Sequence, residues 1–221
     1  MNSDPSELDV RTKVKENAIQ TFSDIFVSSQ LNAKNKIQLS NHLLLHAKRV
    51  EETMQINKKS KKHKAAGISK ERKIAKLVSI SSAVYMIALA FTKKKTKEID
   101  QTVFGNLESI LRICFCVKNE YLNRICSEGL ALLYKQLTTP EYMTSIVEVS
   151  MKTLHEEIES KGMQIFKNKF LTIDIIKSSP NIQRHAMLLG NILRYNELED
   201  NQDLMEALKS AFLDILKLTN F

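Results

Sequence analysis

The chain has 221 residues and a formal net charge of +8, from 33 Lys and Arg against 25 Asp and Glu. Its apolar fraction of 43% is too high for a disordered chain. Only 5 Gly and 3 Pro are present, too few for the turns of an all-β sandwich or for the Gly-rich loops of a nucleotide-binding α/β fold.

Met1–Asp9 is polar and acidic and lacks the apolar stretch of a secretory signal. Val10, Val14, Ile19, Phe22, Ile25 and Phe26 then recur at helical spacing, predicting a helix over about 8–28. Asn32 reads as the N-cap of a second helix over about 33–54, striped by Ile37, Leu39, Leu43, Leu44, Ala47 and Val50. Ser69 caps a third, over about 70–92, with Ile74, Leu77, Val78, Ser81, Tyr85 and Ala88 on one side and a largely apolar opposite side. Leu77–Thr92 is 16 residues without a charge, short of the roughly 18–20 that span a bilayer. It reads as a buried core helix, although flanking lysines leave a membrane reading open.

A fourth helix is expected over about 98–117 and a fifth over about 120–137, with Asn119 between them. Pro140 suits the first turn of a sixth, expected to end at Lys161–Gly162, where glycine is free to turn left-handed. A seventh is expected over 163–177, although the β-branched residues of Phe170–Ile176 would also suit extended chain. Pro180 opens an eighth over about 180–196. Asp200 or Asn201 caps a ninth that reaches Phe221. Long helices with short loops pair at spacings of about 40–50 residues, predicting one all-α domain over 1–221: an α-solenoid of degenerate HEAT/armadillo-like antiparallel pairs. The tetratricopeptide and ankyrin patterns are not matched.

Charge is concentrated. Residues 58–97 hold 13 basic residues and one acid, Glu71, while the remainder carries 20 basic and 24 acidic residues. The chain is a mildly acidic body with one basic segment. Residues 55–67 lack apolar periodicity and are expected to form a flexible basic loop. Lys58, Lys59, Lys61, Lys62, Lys64, Lys70 and Lys73 are the expected contact for a polyanion or partner: anionic membrane, RNA or an acidic protein. The same segment reads equally as a solvated linker. No aromatic residue between Lys58 and Lys76 would stack on bases.

Catalytic patterns are not visible. His42 and His46 stand one helical turn apart, but the Glu and third ligand of a zincin are missing. Cys114, Cys116 and Cys126 cannot all pair, which excludes a disulfide framework and points to a reducing compartment. No nucleophile elbow, P-loop or kinase motif occurs. The expectation is a protein that is not an enzyme, with no metal, cofactor or small-molecule substrate.

Three collinear stretches over about residues 14–196 carry a resemblance. The first is Ala18-Ile19 through Phe22 and Ile25-Phe26, then Asn35-Lys36-Ile37-Gln38-Leu39, His46-Ala47-Lys48, Leu77 to Ala83, and Ala88-Leu89. The second is Asn119 to Arg124 with Glu128-Gly129-Leu130-Ala131. The third is Asp174, Lys177-Ser178 and Arg184, then Leu189-Gly190-Asn191-Ile192-Leu193-Arg194-Tyr195. Together they resemble the HEAT repeat-containing protein 5 family, large accessory factors of clathrin adaptors. Glu120 replaces a proline usual there, Asn196 and Glu197 replace glycines, and residues 57–67 read as an insertion. Family members are also far longer than this chain. The resemblance implies a non-enzymatic scaffold for protein–protein interaction in traffic between endosomes and the trans-Golgi network. It implies a cytoplasmic protein, peripheral on those membranes. The alternative is a nuclear or nucleolar helical-repeat protein that contacts RNA or import machinery through its Lys-rich loop.

Gly129 and Gly190 fall inside predicted helices, where glycine costs about 1 kcal/mol relative to Ala. Both are expected at close packing contacts between repeats. Arg124 and Arg194 are expected to bond across to a neighbouring repeat.

Overall fold

A computed structural model describes residues 5–59, 70–94, 99–136, 140–167 and 180–195, with 202, 205–206, 208–210 and 212–213 beyond them. Every regular element among them is an α-helix. The helices are α1 (Pro5–Val27), α2 (Ala33–Lys59), α3 (Lys70–Lys94), α4 (Gln101–Phe115), α5 (Glu120–Tyr134), α6 (Pro140–Lys167) and α7 (Pro180–Tyr195). They gather into two compact units, Met1–Leu130 and Ala131–Phe221, with the division inside α5.

Local chemistry explains most helix starts. Asn32 Oδ1 accepts from Asn35 N at 2.8 Å, capping α2. Asp100 Oδ1 accepts from Thr102 N at 2.9 Å and Val103 N at 3.1 Å, so α4 begins at Gln101. Asn119 Oδ1 accepts from Leu122 N at 3.0 Å and starts α5. Pro5, Pro140 and Pro180 each stand first in a helix, where a missing N–H costs nothing.

Two expectations about boundaries are corrected. The helix α6 does not end at Lys161–Gly162 but continues through Gly162 to Lys167. A single helical glycine costs only about 1 kcal/mol, so it does not by itself stop a helix. The expected loop over 55–67 begins later, because 55–59 form the last turns of α2. Residues 60–67 of that loop and 168–177 of the expected seventh helix lie outside the described residues.

In the first unit, α1 packs on α3 and α2 on α4, while α3 also packs on α2 and α4. Among α1–α4, α3 is therefore central, packing on the other three. Its buried positions Leu77, Ser81, Val84, Ile87, Ala88 and Phe91 share a stripe about 120° wide, which Ala83 and Ala90 widen to about half of the helix rather than all round it. Phe26 meets Phe91 edge-on with ring centroids 6.4 Å apart. Between α2 and α4 the buried Asn106 donates from Nδ2 to Ser40 Oγ at 2.9 Å and Asn41 Oδ1 at 2.8 Å. The helix α1 departs from its predicted buried stripe. Val14 is 63% exposed and Ile25 52% exposed, whereas Ser23, Phe26 and Val27 are buried.

In the second unit α6 packs on α7. Met143, Ile146, Val147 and Leu154 meet an apolar stripe of Ile182, Leu188, Leu189 and Ile192, all buried. Asn181 Nδ2 donates to Glu157 Oε1 at 2.7 Å across the pair. Tyr134 and Tyr142 stack edge-to-face at 6.5 Å.

Candidate functional site

Along residues 12–20 of α1, a groove of about 540 Å³ opens between that helix, α3 and α5. Its floor is on α3: Val78, Ser82, Tyr85 and Met86, all half-buried. One wall is α1, through Lys15, Glu16, Ile19 and Gln20. The other is α5, through Tyr121 and Ile125. Tyr121 is 55% exposed, and its ring stands at the rim. Apolar side chains and one methionine line the floor, while both signs of charge sit on the α1 wall. That is the composition of a recognition surface: an apolar base with a polar, solvated edge.

The groove is held open from behind. Gly129 on α5 is buried, and a Cβ there would stand 3.1 Å from Leu111 Cδ1 and 3.7 Å from Tyr85 Cα. Absence of a side chain therefore lets α5 close on α3 and α4. Gly129 thus sits at a close helix–helix contact. That of Gly190 is corrected, because a Cβ there would meet nothing within 4 Å. Arg124 and Arg194 are exposed rather than packed between repeats. The Arg194 guanidinium stacks 5.2 Å from the centroid of its neighbour Tyr195, a contact within α7.

The expected polyanion set is divided. Lys58 and Lys59 are in the last turn of α2, Lys70 is exposed at the start of α3, and Lys61, Lys62 and Lys64 lie outside the described residues. Lys73 leaves the set: it is 6% exposed, and its Nζ donates to Thr53 O on α2 at 3.0 Å. Helix spacing turns position 73 toward α2 beside Leu77, which a count of charges does not register.

Lys94 lies near Lys36 at the other end of the same helix pair. The Lys36 ammonium is pushed below its ordinary pKa, first by partial burial and then by the Lys94 charge. The Lys73–Thr53 and Lys36–Lys94 approaches at opposite ends make α2 and α3 antiparallel.

Among the described residues no three His, Cys, Asp or Glu converge as metal ligands. His42 and His46 are exposed neighbours, with centroids 5.4 Å apart and planes at 75°. Cys114 and Cys126 are buried and Cys116 is exposed. The Cys126 thiol is pushed well above the ordinary thiol range by its hydrogen bond to Cys114 and then by burial, with the Ser81 hydroxyl opposing. In the second unit an apolar hollow of about 400 Å³ lies against Leu193, Met205, Leu208, Phe212 and Leu213.

The groove is the feature that charge counting and motif searching missed. Its sequence signal was the surplus of apolar positions on α3, of which Val78, Tyr85 and Met86 are only half-buried. Comparison with family models, curated proteins and solved structures finds no match.

Proposed function

We propose that the chain is a non-enzymatic α-helical scaffold of degenerate HEAT/armadillo-like pairs, and that the groove between α1 and α5 holds an amphipathic helix of a partner protein. The observation that carries this reading is the match of length and chemistry. Residues 12–20 of α1 line the groove, which makes it roughly 12 Å long at 1.5 Å per residue. Helical ligands of grooves present apolar anchors at i, i+3, i+4 and i+7, a span of roughly 10 Å. Two helical turns therefore fill the groove, placing apolar side chains on Val78, Met86 and Ile125 and charged ones beside Lys15 and Glu16. The packing of α3 on α1, α2 and α4 supports the solenoid reading. The resemblance to the HEAT repeat-containing protein 5 family supports a role for the scaffold in clathrin-adaptor-linked traffic between endosomes and the trans-Golgi network.

The test is selection of random displayed peptides on the full chain. Enriched peptides should carry apolar residues at helical spacing, and Met86→Glu should weaken them roughly tenfold or more, as burial of an unpaired charge at an anchor position requires. Peptides without helical periodicity, or binding indifferent to Met86→Glu in a folded variant, would overturn the reading. A tagged chain should give perinuclear puncta; nucleolar signal would instead favour the nuclear alternative.

A further inference from the structure

We infer that the outward face of α2 docks on an anionic membrane surface, laying the helix flat with Leu45 against the lipid. At 3.6 residues per turn, positions 34, 38, 41, 45, 48, 49 and 52 fall within about 100° of arc. These are Lys34, Gln38, Asn41, Leu45, Lys48, Arg49 and Glu52. All seven are exposed. The opposite side of α2 is used up: Ser40, Ala47 and Val50 are buried, and α3 and α4 pack there. The outward face is therefore one stripe, about 27 Å long from Lys34 to Glu52.

Charge on the stripe is one-sided, three cations to one carboxylate, Glu52. Neither Lys34, Lys48 nor Arg49 forms an ion pair with a described carboxylate. Antiparallel α3 adds exposed cations at both tips: Lys93 and Lys94 near the start of α2, and Lys70 and Lys76 near its end. The first compact unit holds 23 basic and 13 acidic residues and the second 10 and 12, so the face lies on the basic unit of the chain.

Leu45 decides between anionic partners. It is 46% exposed at the centre of the cationic stripe. A lipid interface gains from an apolar side chain among lysines, because the chain enters the acyl boundary while the ammonium groups stay with the headgroups. A nucleic-acid backbone offers that leucine nothing, and the stripe has no aromatic residue to stack on bases. The surface is separate from the groove, whose floor lies on α3, so a scaffold could engage both at once.

The experiment is co-sedimentation of the full chain with phosphatidylcholine vesicles, with and without phosphatidylserine, at low salt. Binding should require phosphatidylserine and fall as salt rises. The variant Lys34→Gln/Lys48→Gln/Arg49→Gln removes three cations and should lower partitioning roughly a hundredfold. It keeps every lysine from 58 to 64, so its loss cannot be assigned to that segment. Leu45→Gln should lower partitioning about fivefold with charge unchanged. All four positions are exposed, and circular dichroism should match the parent. No binding to phosphatidylserine vesicles, equal binding by the triple variant, or indifference to Leu45→Gln would overturn the proposal. So would duplex RNA binding with the same mutational losses but no vesicle binding.

Discussion

Replacing Lys73 separates a structural lysine from a surface one. Its Nζ donates to Thr53 O at 3.0 Å, and the residue is 6% exposed. A hydrogen bond from a charged donor contributes about 1.5–3 kcal/mol. The buried aliphatic stem adds packing that alanine loses. Lys73→Ala should therefore destabilise the first unit by about 2–3 kcal/mol, lowering its melting temperature by roughly 5–10 °C for a unit of this size. Exposed Lys70, three residues earlier, should change stability by less than about 0.5 kcal/mol when replaced by Ala. Urea denaturation followed by circular dichroism measures both. Vesicle or RNA binding should move oppositely: Lys70→Gln weakens any polyanion contact, and Lys73→Gln leaves it unchanged in the folded protein. Equal, negligible effects of Lys70→Ala and Lys73→Ala on stability would refute the buried placement of Lys73.

Two further outcomes follow from the packing. Gly129→Val places carbon against Leu111, already 3.1 Å from an added Cβ, and against the α3 backbone at Tyr85. It should destabilise by about 1–3 kcal/mol as overpacking, whereas Gly190→Ala, with open space, should stabilise by up to about 1 kcal/mol in the same melts. Cys126 has its pKa raised on folding, so its contribution to stability is complete below the unfolded thiol value of about 8.5 and is lost as pH rises above it. Stability should fall more steeply between about pH 8.5 and 10 in the parent than in Cys126→Ala. Thiol titration of the native chain should show one fast group, Cys116, and two slow ones.

Helical class was legible because the 3.6-residue period runs through nearly the whole chain and few Gly or Pro interrupt it. The caps at Asn32 and Asn119 were legible too, since a short polar side chain before an apolar stripe satisfies N–H groups that no other local group reaches. Extents were less so. Gly162 marks a stop only when the following chain turns away, and neighbouring packing decides that. Contact between arginines and other repeats was not legible at all, because Arg124 and Arg194 turn outward according to helix phase and neighbours rather than residue type. Val14 and Ile25 fit an apolar stripe, yet they stand about 20° apart on one face of α1, turned from the buried Ser23 and Phe26. The groove lies where α1, α3 and α5 come together, a property of several helices at once.

Amide hydrogen exchange of the full chain, with and without a peptide selected on it, tests the docking claim most directly. The account predicts added protection confined to residues 12–20, 78–86 and 121–125, the three stretches that line the groove. Protection concentrated on α4 or α6, with those three stretches unchanged, would contradict it.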